Sequence, residues 1–352
     1  MADRMETAET KTAEMEAADQ MASPLPEGRI AGEVVKLDRG FPLVAASDGN
    51  LYRCKHATAL VKGKNERAVI GDQVTIATSA ERDIAQIEEI MPRQTQLVRR
   101  DPAERTVSQV MAANFDVVAI AQPLAELNLA RLERELVLAY ETEADIAIVL
   151  TKADLVDDAA QLAEQRDTVA GMAGDVPVFV VSAEDPESVA RFRAFIGTRT
   201  VVLVGKSGVG KSSLVNLLVG SEVQATTPVR ESDGRGRHTT VSREIVNLAG
   251  GGRVVDMPGV RGLGLWDARR GIATAFADVE TFAESCRFRD CSHTDEPGCA
   301  VREAVSAGKL AQVRLDAYIR LRDEYEANMK RREVAARKRE RRGNPRRRRA
   351  WD

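Results

Sequence analysis

The chain comprises 352 residues, 43% of them hydrophobic and 30% charged, with a formal net charge of −3; that is enough apolar material for two or three domains with cores of their own. No apolar run approaches the roughly eighteen residues of a membrane-spanning helix, and no secretory apolar segment is present. A cytoplasmic protein with reduced thiols and no membrane partner is expected.

Residues 1–28 carry seven acidic side chains against two basic ones and almost no aliphatic bulk, so a disordered acidic N-terminus is expected. Between 29 and 93, "IAGEVVKL", "FPLVAA", "NLYRCKH", "DQVTIAT" and "IAQIEEI" alternate with period 2 and are separated by Gly, Asp and Asn. They predict five strands of a small β-barrel. An OB-fold is the natural candidate, and the pattern equally admits an SH3-like barrel. The span has few aromatics, Phe41 and Tyr52, so base stacking by it would be sparse.

Residues 94–265 read as an α/β nucleotide-binding domain. The apolar stretch "DIAIVLTKAD" (145–154) ends in Thr151-Lys152-Ala153-Asp154, which resembles the [NT]-K-x-D element that recognises guanine. There an aspartate accepts hydrogen bonds from N1–H and the exocyclic amine, donors that adenine lacks. Thr151 stands where Asn is commoner and lacks the amide that would brace the loop. A further strand, "VPVFVVSAED" (176–185), brings Ser182-Ala183, similar to the loop whose backbone N–H meets the guanine O6. Each signal is weak alone; their order gives them weight.

Next comes "VVLVGKSGVGKSS" (201–213). Gly205, Lys206, Ser207, Gly208, Val209, Gly210, Lys211 and Ser212, with Ser213 next, fit G-x-x-x-x-G-K-[ST] between a β-branched run and the helical "SSLVNLLVG" that opens at Ser212, the context a P-loop requires. Its amides would cradle phosphates, Lys211 would neutralise the β- and γ-phosphates, and Ser212 would offer its hydroxyl to Mg²⁺. "DGRGRHTT" (233–240) and "GRVVDMPGV" (252–260) supply two switches. Asp256 would reach Mg²⁺ through water, the Gly259 N–H would meet the γ-phosphate, and Thr239 or Thr240 would bind Mg²⁺. Val260 occupies the position of the usual water-orienting glutamine, which leaves His238 as the candidate to align the attacking water. Base recognition therefore precedes the phosphate loop and the switches, the order of a circularly permuted GTPase, and the second switch leads directly into the C-terminal region.

Cys286, Cys291, His293 and Cys299 form C-x4-C-x-H-x5-C, a donor set suited to one closed, structural Zn²⁺ site. Cys54 is expected to be an ordinary half-buried residue. Residues 266–329 are read as a zinc-binding helical domain, with Val313, Leu315, Ala317, Tyr318, Leu321 and Tyr325 tracing part of a helical stripe. From Lys330 twelve Lys/Arg face three acidic residues, a basic tail over 330–352 suited to RNA phosphates.

These motifs ("TKAD", "SA", "GKSGVGKSS", "GRHTT", "DMPGV" and "CRFRDCSHTDEPGCAV") together resemble the ribosome small subunit-dependent GTPase A family of circularly permuted GTPases. The resemblance spans 151–301 closely and the flanks in kind. It implies an N-terminal OB-fold and a small-subunit assembly role, with the small ribosomal subunit and its rRNA as partners of a monomer that hydrolyses GTP to GDP. Two other readings are a P-loop ATPase or kinase, and a nucleotide-gated rRNA-binding assembly protein with incidental hydrolysis.

Overall fold

The computed structural model describes residues 28–38, 41–64, 66–78, 84–100, 108–220, 243–257 and 264–343. The acidic segment 1–27, the switch residues His238, Thr239, Thr240, Gly259 and Val260, and residues 344–352 lie outside them.

Strands β1 (Arg29–Asp38), β2 (Phe41–Ala46), β3 (Leu51–His56), β4 (Gln73–Ala77) and β5 (Ala85–Ile90) close a barrel in the order β1-β2-β3-β5-β4, with β4 pairing back onto β1. The parallel pairing of β3 with β5 gives the Greek-key closure of an OB-fold. Its core is built from inward positions of the alternating strands: Val34, Val44, Ile76 and Ile87 are fully buried. Cys54 is fully buried there too, rather than half-buried, because β3 turns it to the inner face of the closed barrel. Strand β1 serves three partners, β4 through Arg29–Glu33, β2 through Gly32–Asp38 and β12 at Lys36 and Leu37, with a bulge between Val34 and Lys36. At Gly32 it packs closely on β2, since a Cβ there would sit 2.5 Å from the Val44 side chain.

Beyond that bulge β1 parts from β4, keeps its pairing with β2 and joins a second set of strands, so that the sheet is continuous. Lys36 and Leu37 pair antiparallel with Glu244 and Arg243 of β12 (Arg243–Asn247). Two ion pairs flank the joint, Lys36–Glu244 and Glu33–Arg253, each at 2.6 Å. The second set runs β10 (Val178–Val180), β9 (Asp145–Thr151), β8 (Val117–Pro123), β11 (Thr200–Val204), β13 (Arg253–Asp256), β12. The first five are parallel and β12 is antiparallel. Being covered on both faces, these strands are continuous apolar runs rather than alternating ones. Val118, Ile120, Ile148 and Leu150 pack on one side, and Val117, Val149, Val201 and Leu203 on the other. The covering helices are α1 (Leu129–Tyr140), α2 (Ala159–Ala173), α3 (Pro186–Ile196) and α4 (Lys211–Val219). A hairpin of β6 (Gln96–Arg100) and β7 (Ser108–Ala113) precedes β8.

The C-terminal helices α5 (Arg269–Ala275), α6 (Ala277–Ala283), α7 (Ala300–Ser306) and α8 (Gln312–Gly343) share a core with α1, through Leu132, Phe276, Val301 and Leu321. Helices α1 and α5 touch backbone to backbone: a Cβ on Gly271 would lie 2.0 Å from the Val137 carbonyl oxygen. Leu315, Ala317, Tyr318 and Leu321 of the sequence stripe are buried, whereas Val313 in the first turn of α8 is 74% exposed, ahead of the point where the helix meets the core. The division at residue 330 also falls inside α8, which continues to Gly343 as one helix. Residues 326–342 hold strong helix formers, and the first breakers are Gly343 and Pro345.

Helix α8 also grips the chain that leaves the second switch. Asn328, only 4% exposed, donates to the Leu265 carbonyl at 3.2 Å and accepts from Arg100 at 2.7 Å. The Arg332 guanidinium lies 3.9 Å from the Trp266 ring centroid and donates to the Trp266 carbonyl. Arg134 of α1 holds Glu324 of α8 with two hydrogen bonds.

Candidate functional site

The C-terminal ends of β8, β9, β11 and β13 meet along one edge of the sheet, where an α/β fold places its ligand. Thr151 lies opposite Pro123, and Asp256 opposite Leu203. The chain then turns through Gly205, Gly208 and Gly210, with φ of +150°, +85° and +97°, conformations open to glycine alone at little cost. A side chain at Gly205 would meet the Ala121 carbonyl at 2.5 Å. Helix α4 begins at Lys211, so its unpaired first-turn N–H groups face this turn, an anion cradle.

The Lys211 side chain folds back into that cradle. Its Nζ donates to the Gly205 and Lys206 carbonyls at 2.9 and 3.0 Å, and the residue is 6% exposed. Burial pushes its ammonium below the ordinary lysine value, while the Asp256 and Glu135 carboxylates oppose the shift. Burial likewise raises the Asp256 carboxyl, opposed by Lys211. The cleft thus holds a desolvated cation bound by backbone carbonyls and partly offset by the charge of two carboxylates.

The Thr151–Asp154 segment closes against this loop. Lys152 adopts the left-handed conformation (φ 57°), turning the chain so that its stem lies near Gly210. The Thr151 hydroxyl, buried, donates to the Val209 carbonyl of the phosphate loop and lies 3.2 Å from the Gln122 carbonyl. The brace thought lost with the Asn amide is therefore supplied by a shorter side chain, because the two loops approach closely enough for a hydroxyl to span them. Asp154 is exposed at the mouth and accepts from the Ser182 hydroxyl at 3.1 Å; Ala183 follows on an exposed turn.

Sequence reasoning missed Gln122 and Glu135. Glu135 is 1% exposed beneath the cleft, accepting from Arg131 at 2.9 Å and from Gln122 at 2.5 Å. Burial raises its carboxyl above the usual range, with Arg131 and Gln122 opposing. Its signal was a charge on the apolar face of "LARLERELVLAY", one residue from Leu136 and three from the buried Leu132.

Cys286, Cys291, His293 and Cys299 converge, one donor atom from each, within 4.8 Å of one another. The His293 Nδ1 lies 3.6 Å from Cys286 Sγ and 3.5 Å from Cys299 Sγ, and the two sulfurs are 3.9 Å apart. Tetrahedral zinc with Zn–S of about 2.3 Å and Zn–N of about 2.0 Å requires separations of roughly 3.8 and 3.5 Å. Burial and then Arg322 push the His293 imidazole toward its neutral, ligating form. The donors fit Zn²⁺ in a closed site with no place for substrate. The wild-type chain should carry about one zinc, and Cys291→Ser should weaken it more than the roughly 10- to 100-fold lost with an outer partner. Residues 284–310 should then become protease-sensitive while GTP still binds. Metal-free protein with this segment equally protected would overturn the assignment.

A parallel sheet with a phosphate loop, a guanine-type loop closed on it and a zinc-stapled helical module, with base recognition first in the chain, defines a circularly permuted P-loop GTPase. The RsgA GTPase family model matches residues 90–266, and a model described as 50S ribosome-binding GTPase matches residues 200–335, which begin at the phosphate-loop strand. The chain is 42% identical over 307 residues to the small ribosomal subunit biogenesis GTPase RsgA of Streptomyces coelicolor, covering 86% of this chain and 82% of that protein. It is 38% identical to the RsgA of Methanosarcina acetivorans, over 76% and 73% of the two chains. Among solved structures, YjeQ from Thermotoga maritima superposes with a TM-score of 0.61 at 26% identity, covering 84% of this chain and 98% of the other. YloQ, described as a circularly permuted GTPase, gives 0.57 at 24% identity, over 87% and 98%, a likeness of fold. The chain belongs to the RsgA GTPase family.

Proposed function

We propose that this chain is a GTP hydrolase of late small ribosomal subunit assembly whose turnover the subunit accelerates. The observation that carries the nucleotide reading is the Thr151 hydroxyl on the Val209 carbonyl, which sets a guanine-type aspartate over a phosphate loop. Asp154 presents acceptors where guanine has donors, which disfavours an ATPase. In this reading Lys206, Ser207, Gly208, Val209, Gly210 and Ser213 surround the phosphates. Lys211 leaves its carbonyl partners to neutralise charge on the transferred group, and Ala183 meets the base. Ser212, Asp256 and Thr239 or Thr240 would hold Mg²⁺, which would supply positive charge to neutralise the phosphates. His238 aligns the attacking water, with Gly259 at the γ-phosphate. The protein works as a cytoplasmic monomer, and the barrel and the basic end of α8 face rRNA.

The test is turnover of GTP and ATP with and without small ribosomal subunits, for the full chain and for a chain ending at Met329. Subunits should accelerate GTP hydrolysis alone. The shortened chain should bind subunits more weakly and with a flatter salt dependence, because fewer phosphate counterions are released. Binding without acceleration would favour incidental hydrolysis; ATP turned over equally would favour an ATPase.

A further inference from the structure

The zinc module presents an aromatic side chain that no core uses. Among the described residues Phe288 is the one aromatic in the group of exposed large hydrophobics, at 42% exposure. It sits in the four-residue loop Arg287–Asp290, whose ends are the ligands Cys286 and Cys291. The loop is held rigidly: Arg287 N donates to the Gly298 carbonyl at 3.1 Å, and Cys291 N to the Phe288 carbonyl at 3.3 Å. The Arg287 stem packs on Gly298, where a Cβ would lie 3.2 Å from the Arg287 Cβ. Its guanidinium stands 5.4 Å from the Phe288 centroid.

On α8, Arg314 is ion-paired with Glu133 and Asp278, and Arg322 with Asp323. Arg287 and Arg289 form no ion pair with a described residue, and both are exposed. Asp290 is the loop's single acid. An exposed ring fixed by a metal at both ends and flanked by two open guanidinium groups matches the face of a nucleobase and its adjoining phosphates.

We infer that Arg287, Phe288 and Arg289 form a stacking platform for an unpaired base of the RNA partner. This rests on the small-subunit reading above and assigns the zinc module a contact with single-stranded rRNA. The probe is a fluorescent, unstructured oligoribonucleotide of about twelve nucleotides, within the range such surfaces occupy, bound to the full zinc-loaded chain. Phe288→Ala should weaken oligonucleotide and subunit binding by about tenfold, the loss of one stacked base. Phe288→Trp should restore both, with its emission quenched by the RNA. Zinc content and GTP affinity should stay at wild-type values in both variants.

Oligonucleotide affinity unchanged in Phe288→Ala overturns the platform. Subunit binding weakened with the oligonucleotide unaffected overturns it as well and assigns the loop to a ribosomal protein. Failure of the wild-type chain to bind small subunits while it still binds the oligonucleotide through Phe288 would instead remove the functional reading and leave the platform standing.

Discussion

Asp154→Asn should bind GTP about a hundredfold more weakly, the loss of two hydrogen bonds to a charged acceptor at roughly 1.5–3 kcal/mol each, partly offset by water at an exposed site. The substitution is nearly isosteric, and Ser182 can still donate to the remaining side-chain oxygen, as it does to Asp154 at 3.1 Å. What changes is the second atom. An amide N–H₂ faces the guanine amine donor to donor, whereas xanthine offers an oxygen at the same position. Affinity for xanthosine nucleotides should therefore rise as that for GTP falls. Titration of fluorescent GTP and XTP analogues measures both, and unaltered GTP affinity would remove Asp154 from the base site.

The second large effect concerns His238. Valine follows the D-x-P-G segment where glutamine often orients water, and Val260 cannot hydrogen-bond. The acidic groups around Lys211 offer no substitute: Glu135 is committed to Arg131 and Gln122, and Asp256 is the proposed partner of Mg²⁺. The "GRHTT" imidazole adjoins the threonine expected at the metal, and a neutral ring nitrogen can accept from water. His238→Ala should lower subunit-stimulated turnover by about a hundredfold, the lower range for a positioned acid–base group, while GTP and subunit affinities persist. Single-turnover hydrolysis on saturating subunits reads this directly. Full stimulated turnover in the variant would hand the water to the ribosome or to the backbone.

What could be read from the residues was whatever depends on short spacing. The phosphate loop, "TKAD" and the zinc ligands each place their donors within one turn or loop, so sequence distance nearly equals spatial arrangement. Pairings between distant segments were not legible. Alternation predicted five barrel strands, yet the parallel β3–β5 pairing that distinguishes an OB-fold exists only in the closed sheet. The joint between β1 and β12 lies beside a bulge at Val34–Lys36 and depends on residues over two hundred positions apart. Thr151 was read as a loss because its acceptor, Val209, lies 58 residues away. The boundary placed at residue 330 followed charge, whereas helix propensity runs straight through it.

The grip of Asn328 on Leu265 gives α8 the proportions of a pointer held at its midpoint. From Asn328 to Gly343 the helix extends about 22 Å at 1.5 Å per residue, so a tilt of about 10° at the pivot carries its tip about 4 Å. The pivot is attached to the segment that leaves the second switch, and the far half of the helix carries the exposed Arg337 and Lys338. A small rotation about Asn328 would thereby become a far larger displacement at the basic end of the helix.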